Sequence, residues 1–507
     1  MNTPAVSRIA IVGGGTAGWM AAASLAHYLD GDDVTIRLIE SPDVPTVGVG
    51  EATLPGIRDF NQHLGIDEVD FIRKTQATFK LGIRFDDWHS RRTSFFHPFA
   101  GFGAPLDGID FHHCFYRIRN NGEDIELADH CLPIAMAGLG RFAQPHPEPQ
   151  HPLADYKYAF HFDALLYAAY LRDYAINAGV GHSRGLVVDV HQNSETGFIE
   201  SLLLDTDETV GADLFIDCTG FAGVLIERTL ETGYEDWSHW LPVDRAQAVG
   251  SRIVSDPQPY TLSTARTAGW QWRIPLQHRV GNGYVYCSDY CDDDAAAAAL
   301  LDAVEGEPLG DPRTLRFTTG LRRKFWNRNC VALGLASGFL EPLESTSISL
   351  IQTGLSKLLM FYPHNGFNKA DTAEANRLAR LEMERIRDFI ILHYCTNQRT
   401  DGDLWAYCRN MELPDELAHK IDVFRERGHL VEYPMESFQL PSWLSIFDGQ
   451  RIRPRHRDVR AERLPREDLS RALGRMRDTI GRAAQAAPSH AGFIARHCAA
   501  EADSLVA

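Results

Sequence analysis

The chain has 507 residues, which suggests roughly two to four domains at about 150 residues each. With 44% hydrophobic and 23% charged residues it has the make-up of a folded protein, and wholesale disorder is excluded. Asp and Glu outnumber Lys and Arg by 68 to 50, a net charge of −18, which argues against a nucleic-acid-binding protein.

Arg8-Ile9-Ala10-Ile11-Val12 is an apolar run fit for a buried parallel strand. Gly13-Gly14-Gly15-Thr16-Ala17-Gly18 follows, then an Ala-rich helix over Trp19–Tyr28 and a β-branched strand over Val34–Ile39 that ends at Glu40. In this βαβ unit Gly13 permits a tight turn, Gly15 lets the backbone approach a diphosphate, and Gly18 lets helix and strand pack closely. The diphosphate would sit at the helix N-terminus, beside Thr16 and Ala17. Glu40 lies 22 residues beyond Gly18, placed for ribose hydroxyls, and its charge disfavours a 2′-phosphate. FAD or NAD is therefore expected rather than NADP.

Gln76–Phe85 alternates with period two, with Ala77, Phe79, Leu81, Ile83 and Phe85 on one face and Thr78, Lys80, Gly82 and Arg84 on the other. Pattern alone reads Lys80 as a solvated strand lysine. The other reading is a partly buried amine of lowered pKa that meets an electrophile. Residues of about 90–150 are rich in Pro, His, Phe and Gly with little periodicity, which suggests an irregular insertion. Tyr158–Ala178 reads as helix. Asp213–Gly220 and Val331–Gly338 are apolar strands closing in small-residue turns, and Asp217 and Gly334 are their candidate cofactor contacts. Three glycine-rich returns separated by long insertions favour a FAD-dependent, monooxygenase-like fold over a dehydrogenase, by analogy of fold.

Trp270-Gln271-Trp272-Arg273-Ile274-Pro275 sets two indoles on one strand face, an ordinary aromatic core pair by pattern alone. Cys287 and Cys291 have no second ligand pair and His112-His113-Cys114 is suggestive by composition only, so no metal is expected. Ala295–Ala299 reads as a short helical piece. Apolar residues at 348, 351, 355 and 358–359 have helical spacing, with Ser345 or Thr346 as N-cap. Such a terminus binds a small anion or is merely capped, with Glu344 favouring the dipole. Asn365–Tyr394 includes an amphipathic helix with Leu378, Leu381, Ile386, Phe389 and Ile390 inside. From about 365 the chain looks mainly helical, interrupted by a turn-rich stretch over Tyr433–Arg455.

No apolar run reaches the roughly 18 residues of a membrane span. Met1–Arg8 has no basic stretch leading into an apolar one. The nine scattered cysteines fit reduced thiols. A cytoplasmic protein with no membrane partner is the expectation.

Taken together, these segments resemble the flavin-dependent tryptophan halogenase family. The resemblance runs from about residue 6 to about 360. It is carried by the Gly13–Gly18 turn, Gly48-Val49-Gly50-Glu51-Ala52-Thr53, Phe79-Lys80-Leu81-Gly82, Phe339–Ser345 and residues 270–275, which match the family's WxWxIP motif in full. The fold it implies is α/β: a Rossmann-type FAD-binding parallel sheet plus a second sheet over 1–364, then a mainly helical C-terminal region, 365–507, capping the substrate site. Gly50, Glu51 and Ala52 join the cofactor contacts. The implied chemistry uses reduced FAD from a separate reductase and O2 to oxidise halide to hypohalous acid. That acid passes through a tunnel to Lys80, which forms a haloamine or orients it for attack by an electron-rich arene. Glu344 and Ser345 match the family's following catalytic pair. Thr346 and Ser347 match its halide-binding positions, although Ser347 stands where glycine is usual, which puts a φ > 0 backbone in doubt. Trp270, Trp272, Ile274 and Pro275 are implied to keep substrate from the flavin. His97 and Phe99 resemble the ring-sandwiching pair.

The amino-acid clamp of free-tryptophan halogenases has no convincing copy. Leu440–Phe447 is the nearest stretch, with Trp443 and Phe447 as stacking candidates. An indole or indole-bearing substrate is therefore expected, and a bromide preference. The alternatives are an aromatic hydroxylase on the same fold and a non-catalytic flavin-binding protein. The oligomeric state, a homodimer being one option, is open.

Overall fold

A computed structural model describes residues 5–29, 33–42, 50–149, 151 and 153–501. Arg8–Val12 lies between Thr35–Glu40 and Leu214–Asp217 as parallel neighbours, with Ile9 opposite both Ile36 and Leu214. Gly181–Arg184 and Cys330–Ala332 extend this sheet in parallel on its two sides, and Trp326–Asn327 closes one edge antiparallel. These strands are short and apolar on both faces because helices and a second layer cover them. The helix Thr16–Tyr28 is buried from Gly18 to Ala26, and its alanines let it sit close against the helix Ala164–Asn177.

A second, seven-stranded sheet runs in the order Arg313–Arg316, Arg245–Ser251, Val280–Tyr286, Gly269–Pro275, Thr261–Arg266, Gly82–Asp86, Ser94–Pro98. It is antiparallel except where Gly82–Asp86 meets Thr261–Arg266. A small sheet of Gly50–Ala52, Ala159–Asp163 and Thr78–Lys80 bridges the two large ones. The long helix Lys369–Cys395, capped by Asn368, drives its last turns into the second sheet's core. There Ile386, Phe389 and Ile390 belong to one apolar cluster with Phe85, Trp88 and Trp270. The parts before and after residue 364 therefore share a core.

Several local expectations change. Gln76–Phe85 is not one half-exposed strand. It breaks at Leu81 into Thr78–Lys80 and Gly82–Asp86, which belong to different sheets, and both strands are largely buried. Tyr158–Ala178 opens with a strand, Ala159–Asp163, before its helix; Asp163 caps that helix by accepting from the amides of Leu165 and Leu166. The stretch of about 90–150 is more regular than expected, holding the strand Ser94–Pro98 and the helices Phe111–Asn120 and Leu132–Gly138. The turn-rich stretch 433–455 contains the helix Leu440–Gly449, in which Pro441 sits in the first turn, where a missing N–H costs nothing. Leu378 and Leu381 are only half-buried.

Candidate active site

A cavity of about 550 Å³ opens at the carboxyl ends of the parallel strands. Its walls include Gly13, Gly15, Thr16, Ala17, Glu40, Gly50, Glu51, Ala52 and Gly334, all expected cofactor contacts. Gly13 takes φ +114°, a backbone that a side chain would strain. Glu40 sits over the turn so closely that a Cβ on Gly14 would come 2.3 Å from its carboxyl carbon. The helix that follows has no acidic residue in its first turn, so nothing there repels a phosphate. A bare glycine floor, a helix N-terminus and a carboxylate rim fit a flavin dinucleotide. Burial pushes the Glu51 carboxyl up to about 7.

Two of the expected cofactor contacts do other work. Gly18 is absent from the cavity wall; a Cβ there would stand 1.8 Å from the Gly13 carbonyl oxygen, so it serves the helix–turn contact. Asp217 is fully buried, and its carboxylate is used internally. It accepts from the Thr219 amide and hydroxyl and from the amides of Leu225 and Ile226, which ties down the following segment. Gly48 and Val49 lie outside the described residues.

Behind this cavity lies Lys80. It is fully buried rather than solvated, donating from Nζ to the Thr53 carbonyl oxygen at 3.0 Å and to Ser345 Oγ at 2.8 Å. Burial lowers its pKa to about 7, against an opposing pull from Glu344. A neutral amine in this place has both N–H groups engaged and its lone pair free. Phe99 presents its ring 5.2 Å from Nζ.

Ser345 itself takes a left-handed backbone, φ +59°, and Thr346 next to it is the N-cap of the helix Ser347–Met360. The positive φ thus falls on Ser345. Ser347 has an ordinary helical backbone, so the strain expected there is not present. A left-handed residue followed by a right-handed one turns successive amides toward one side, a concavity suited to an anion. The Thr346 hydroxyl is buried there with no hydrogen-bond partner among the described residues. Ser345 and Ser347 also line the dinucleotide cavity, so this segment touches both sides.

Glu344 is not a capping residue. It is fully buried between two imidazoles, with His97 Nδ1 2.8 Å from Oε2 and His393 Nε2 2.8 Å from Oε1, the latter off the line of a straight hydrogen bond. Burial alone would raise its pKa, but the two histidines outweigh it and hold the carboxyl down to about 2. His393, in the last turn of Lys369–Cys395, has no counterpart in the sequence-based site. The signal available was one basic residue inside the apolar run Phe389–Tyr394.

The strand Gly269–Pro275 runs along the cavity wall. Trp270, Trp272 and Ile274 face the dinucleotide cavity, and Pro275 accepts from Thr78 Oγ1 at 2.7 Å. Trp270 Nε1 donates to Glu341 Oε2 at 2.6 Å, and Tyr394 Oη donates to the same oxygen at 2.7 Å. Burial raises the Glu341 carboxyl to about 7 despite these donors. Glu341 is thus the anchor of the motif, a role not assigned from sequence.

Trp443 and Phe447 are placed differently from expectation. Trp443 carries the Lys420 ammonium 3.7 Å over its ring and meets Phe389 edge-on, while Phe447 stacks on Phe424 at 4.3 Å. Both are core residues, their rings already engaged. The rings around His97 are instead Phe99, Phe389 and Phe438.

A glycine-floored nucleotide cavity of this form, with a buried lysine and a buried carboxylate close by, fits a flavoenzyme. The family model described as tryptophan halogenase matches residues 8–466. The chain belongs to that family and is a flavin-dependent halogenase. Among solved structures it is similar to BrvH, a flavin-dependent halogenase from Brevundimonas sp. BAL3, at 44% identity and a TM-score of 0.94, covering 97% of this chain and 100% of that one. It is likewise similar to Xcc4156, a flavin-dependent halogenase from Xanthomonas campestris, at 44% identity and a TM-score of 0.95, over 98% and 99% of the two chains. Tryptophan 6-halogenase SttH of Streptomyces toxytricini is 34% identical over 449 residues, 84% of this chain and 85% of that protein.

Proposed function

We propose that this enzyme halogenates an indole or indole-bearing arene, with bromide preferred, through Lys80. The observation that carries the reading is the Lys80 amine, buried, bonded to Ser345 and held near neutrality next to Glu344. Bound FAD, kept reduced by a separate flavin reductase and met by O2, would supply the oxidation of halide to hypohalous acid. Gly13–Ala17, Glu40 and Gly50–Ala52 would hold it. The amides at the start of the helix Ser347–Met360, with the Thr346 hydroxyl, would hold the halide.

The lone pair of neutral Lys80 takes the halogen from the acid. The O–X bond breaks, and hydroxide leaves as water with a proton taken from solvent, so Lys80 carries the halogen as a protonated haloamine that becomes the neutral amine again when the halogen is passed on. The arene then attacks the halogen, and the N–X pair returns to nitrogen. Glu344, kept ionised by its histidines, stabilises the positive charge that grows on the ring. Trp270 and Trp272, tied to Glu341, stand between the arene and the flavin cavity, which suppresses hydroxylation. That barrier and the retained Lys80 and Glu344 favour halogenation over a hydroxylase or a non-catalytic flavoprotein.

Engaged rings at Trp443 and Phe447, and no matching amino-acid clamp, support indole over free tryptophan, although SttH is named for tryptophan. Bromide is more easily oxidised than chloride, and Ser347 adds a side chain at the halide position. The test is mass spectrometry of products from indole and from tryptophan, with FAD, a reductase, NADH and equal chloride and bromide. Brominated indole in excess is expected. Equal chlorination and bromination would overturn the halide preference, and faster turnover of tryptophan would overturn the substrate.

A further inference from the structure

Glu344 is fully buried with an imidazole against each of its oxygens, and the tautomers of those partners follow from hydrogen-bond counting. His393 Nδ1 lies 2.8 Å from the Phe389 carbonyl oxygen, which only accepts, so Nδ1 carries a proton. Its Nε2 stands 2.8 Å from Glu344 Oε1. That contact lies off the line of a straight hydrogen bond, so His393 closes this side of the carboxylate without bonding Oε1. Oε2 accepts from His97 Nδ1, which fixes His97 in the tautomer whose basic lone pair is on Nε2. That nitrogen has no hydrogen-bond partner among the described residues, and the side chain keeps 2% of its surface open where Glu344 keeps none. His97 also belongs to the ring cage of Phe99, Phe389 and Phe438 in which a flat arene would be held.

We infer that His97 is a catalytic base of the halogenation, oriented by Glu344, with His393 as the positioning residue that locks Glu344 from the other side. The inference rests on the halogenase reading and extends it to the last step. Once the halogen has added, the ring carbon carries both halogen and hydrogen. His97 Nε2 takes that hydrogen as a proton, and the C–H electron pair returns to the ring. The imidazolium formed faces Glu344, as an imidazolium held by a buried carboxylate does in catalytic triads. It then releases the proton to solvent, so the sum is arene plus hypohalous acid to haloarene plus water. A merely sandwiching His97 would only bind.

The test compares indole with indole deuterated at every ring carbon, in single-turnover reactions with reduced FAD, O2 and bromide. Wild type is compared with His97→Asn, which keeps a donor to Glu344, and His97→Phe, which keeps the flat ring. FAD retention serves as the check of folding. Wild type should show no isotope effect, because the proton leaves quickly. Both His97 variants should brominate about 10²-fold more slowly and show a primary isotope effect, because proton loss now limits. His393→Gln, which keeps a polar group beside Glu344 and leaves the base in place, should lose rate without gaining an isotope effect. A rise in KM alone in both His97 variants, with no isotope effect, would overturn the inference, and so would an unchanged rate in either folded variant. Absence of any halogenated product from wild type would instead overturn the reading on which it rests.

Discussion

Lys80→Met should destroy halogenation and, at neutral pH, make the protein more stable. An unfolded lysine keeps its proton to about 10.5, while Lys80 in the fold gives it up near 7. Between those values the unfolded chain holds the extra proton, so wild-type stability rises with pH through that window, and the penalty is greatest below pH 7. A shift of that size, at 1.36 kcal/mol per pH unit, makes the penalty about 4 kcal/mol at pH 7 and about 2 kcal/mol at pH 9. Methionine nearly fills the same space and is at home when buried. It forfeits the bonds to Thr53 and Ser345, at about 1 kcal/mol each. The net gain is about 2 kcal/mol at pH 7 and falls to about nothing at pH 9. Urea unfolding of both proteins at the two pH values measures it. A variant less stable at pH 7, or a difference that does not change with pH, would refute the claim that Lys80 is buried and near neutrality.

Glu344→Gln should lower the halogen-transfer rate about 10²- to 10³-fold, the scale for removing a charge that meets a developing one. Because Glu344 raises the Lys80 pKa, the variant's pH–rate profile should also move to lower pH, read from rates between pH 5 and 9. Wild-type bromination should rise with pH through about 7, as the amine becomes neutral; a rate that falls there would favour the ammonium as the acting form. Glu341→Gln should remove a loss of stability that wild type shows as pH rises from about 4.5 through 7, because only the ionised acid is penalised by burial. Paired urea titrations at pH 5 and 8 check it. Gly18→Ala should cost about 1–3 kcal/mol and lower FAD retention, since its methyl group would press on the Gly13 carbonyl; unchanged Tm and FAD content would contradict the packing.

The first βαβ unit could be read directly because each of its signals is local: a strand, a glycine turn, a helix and an acid within forty residues. Lys80 could not be placed by pattern. Its burial is decided by Thr53 and by Ser345, which is 265 residues away in the chain. The alternation over Gln76–Phe85 was real but misleading, since Leu81 turns the chain from one sheet to another and both faces are covered. Asp217 looked like a cofactor contact because it ends a strand at the crevice; its carboxylate is claimed by four donors that a sequence does not reveal. His393 escaped notice because the helix carrying it is buried on all sides from Arg385 to Tyr394, where helical periodicity carries no information. Trp443 and Phe447 were aromatic residues near the right place in the chain, and only the neighbouring Lys420 and Phe424 show them to be core.

The most direct measurement is the product of wild type and Lys80→Met from indole, with FAD, a generic reductase, NADH, O2 and bromide, read by mass spectrometry beside oxygen consumption. Wild type should give the bromine isotope doublet. The variant should bind FAD and consume oxygen as before yet yield no brominated product, because the flavin cavity is intact and only the halogen carrier is gone. Bromination by Lys80→Met at the wild-type rate would contradict the account.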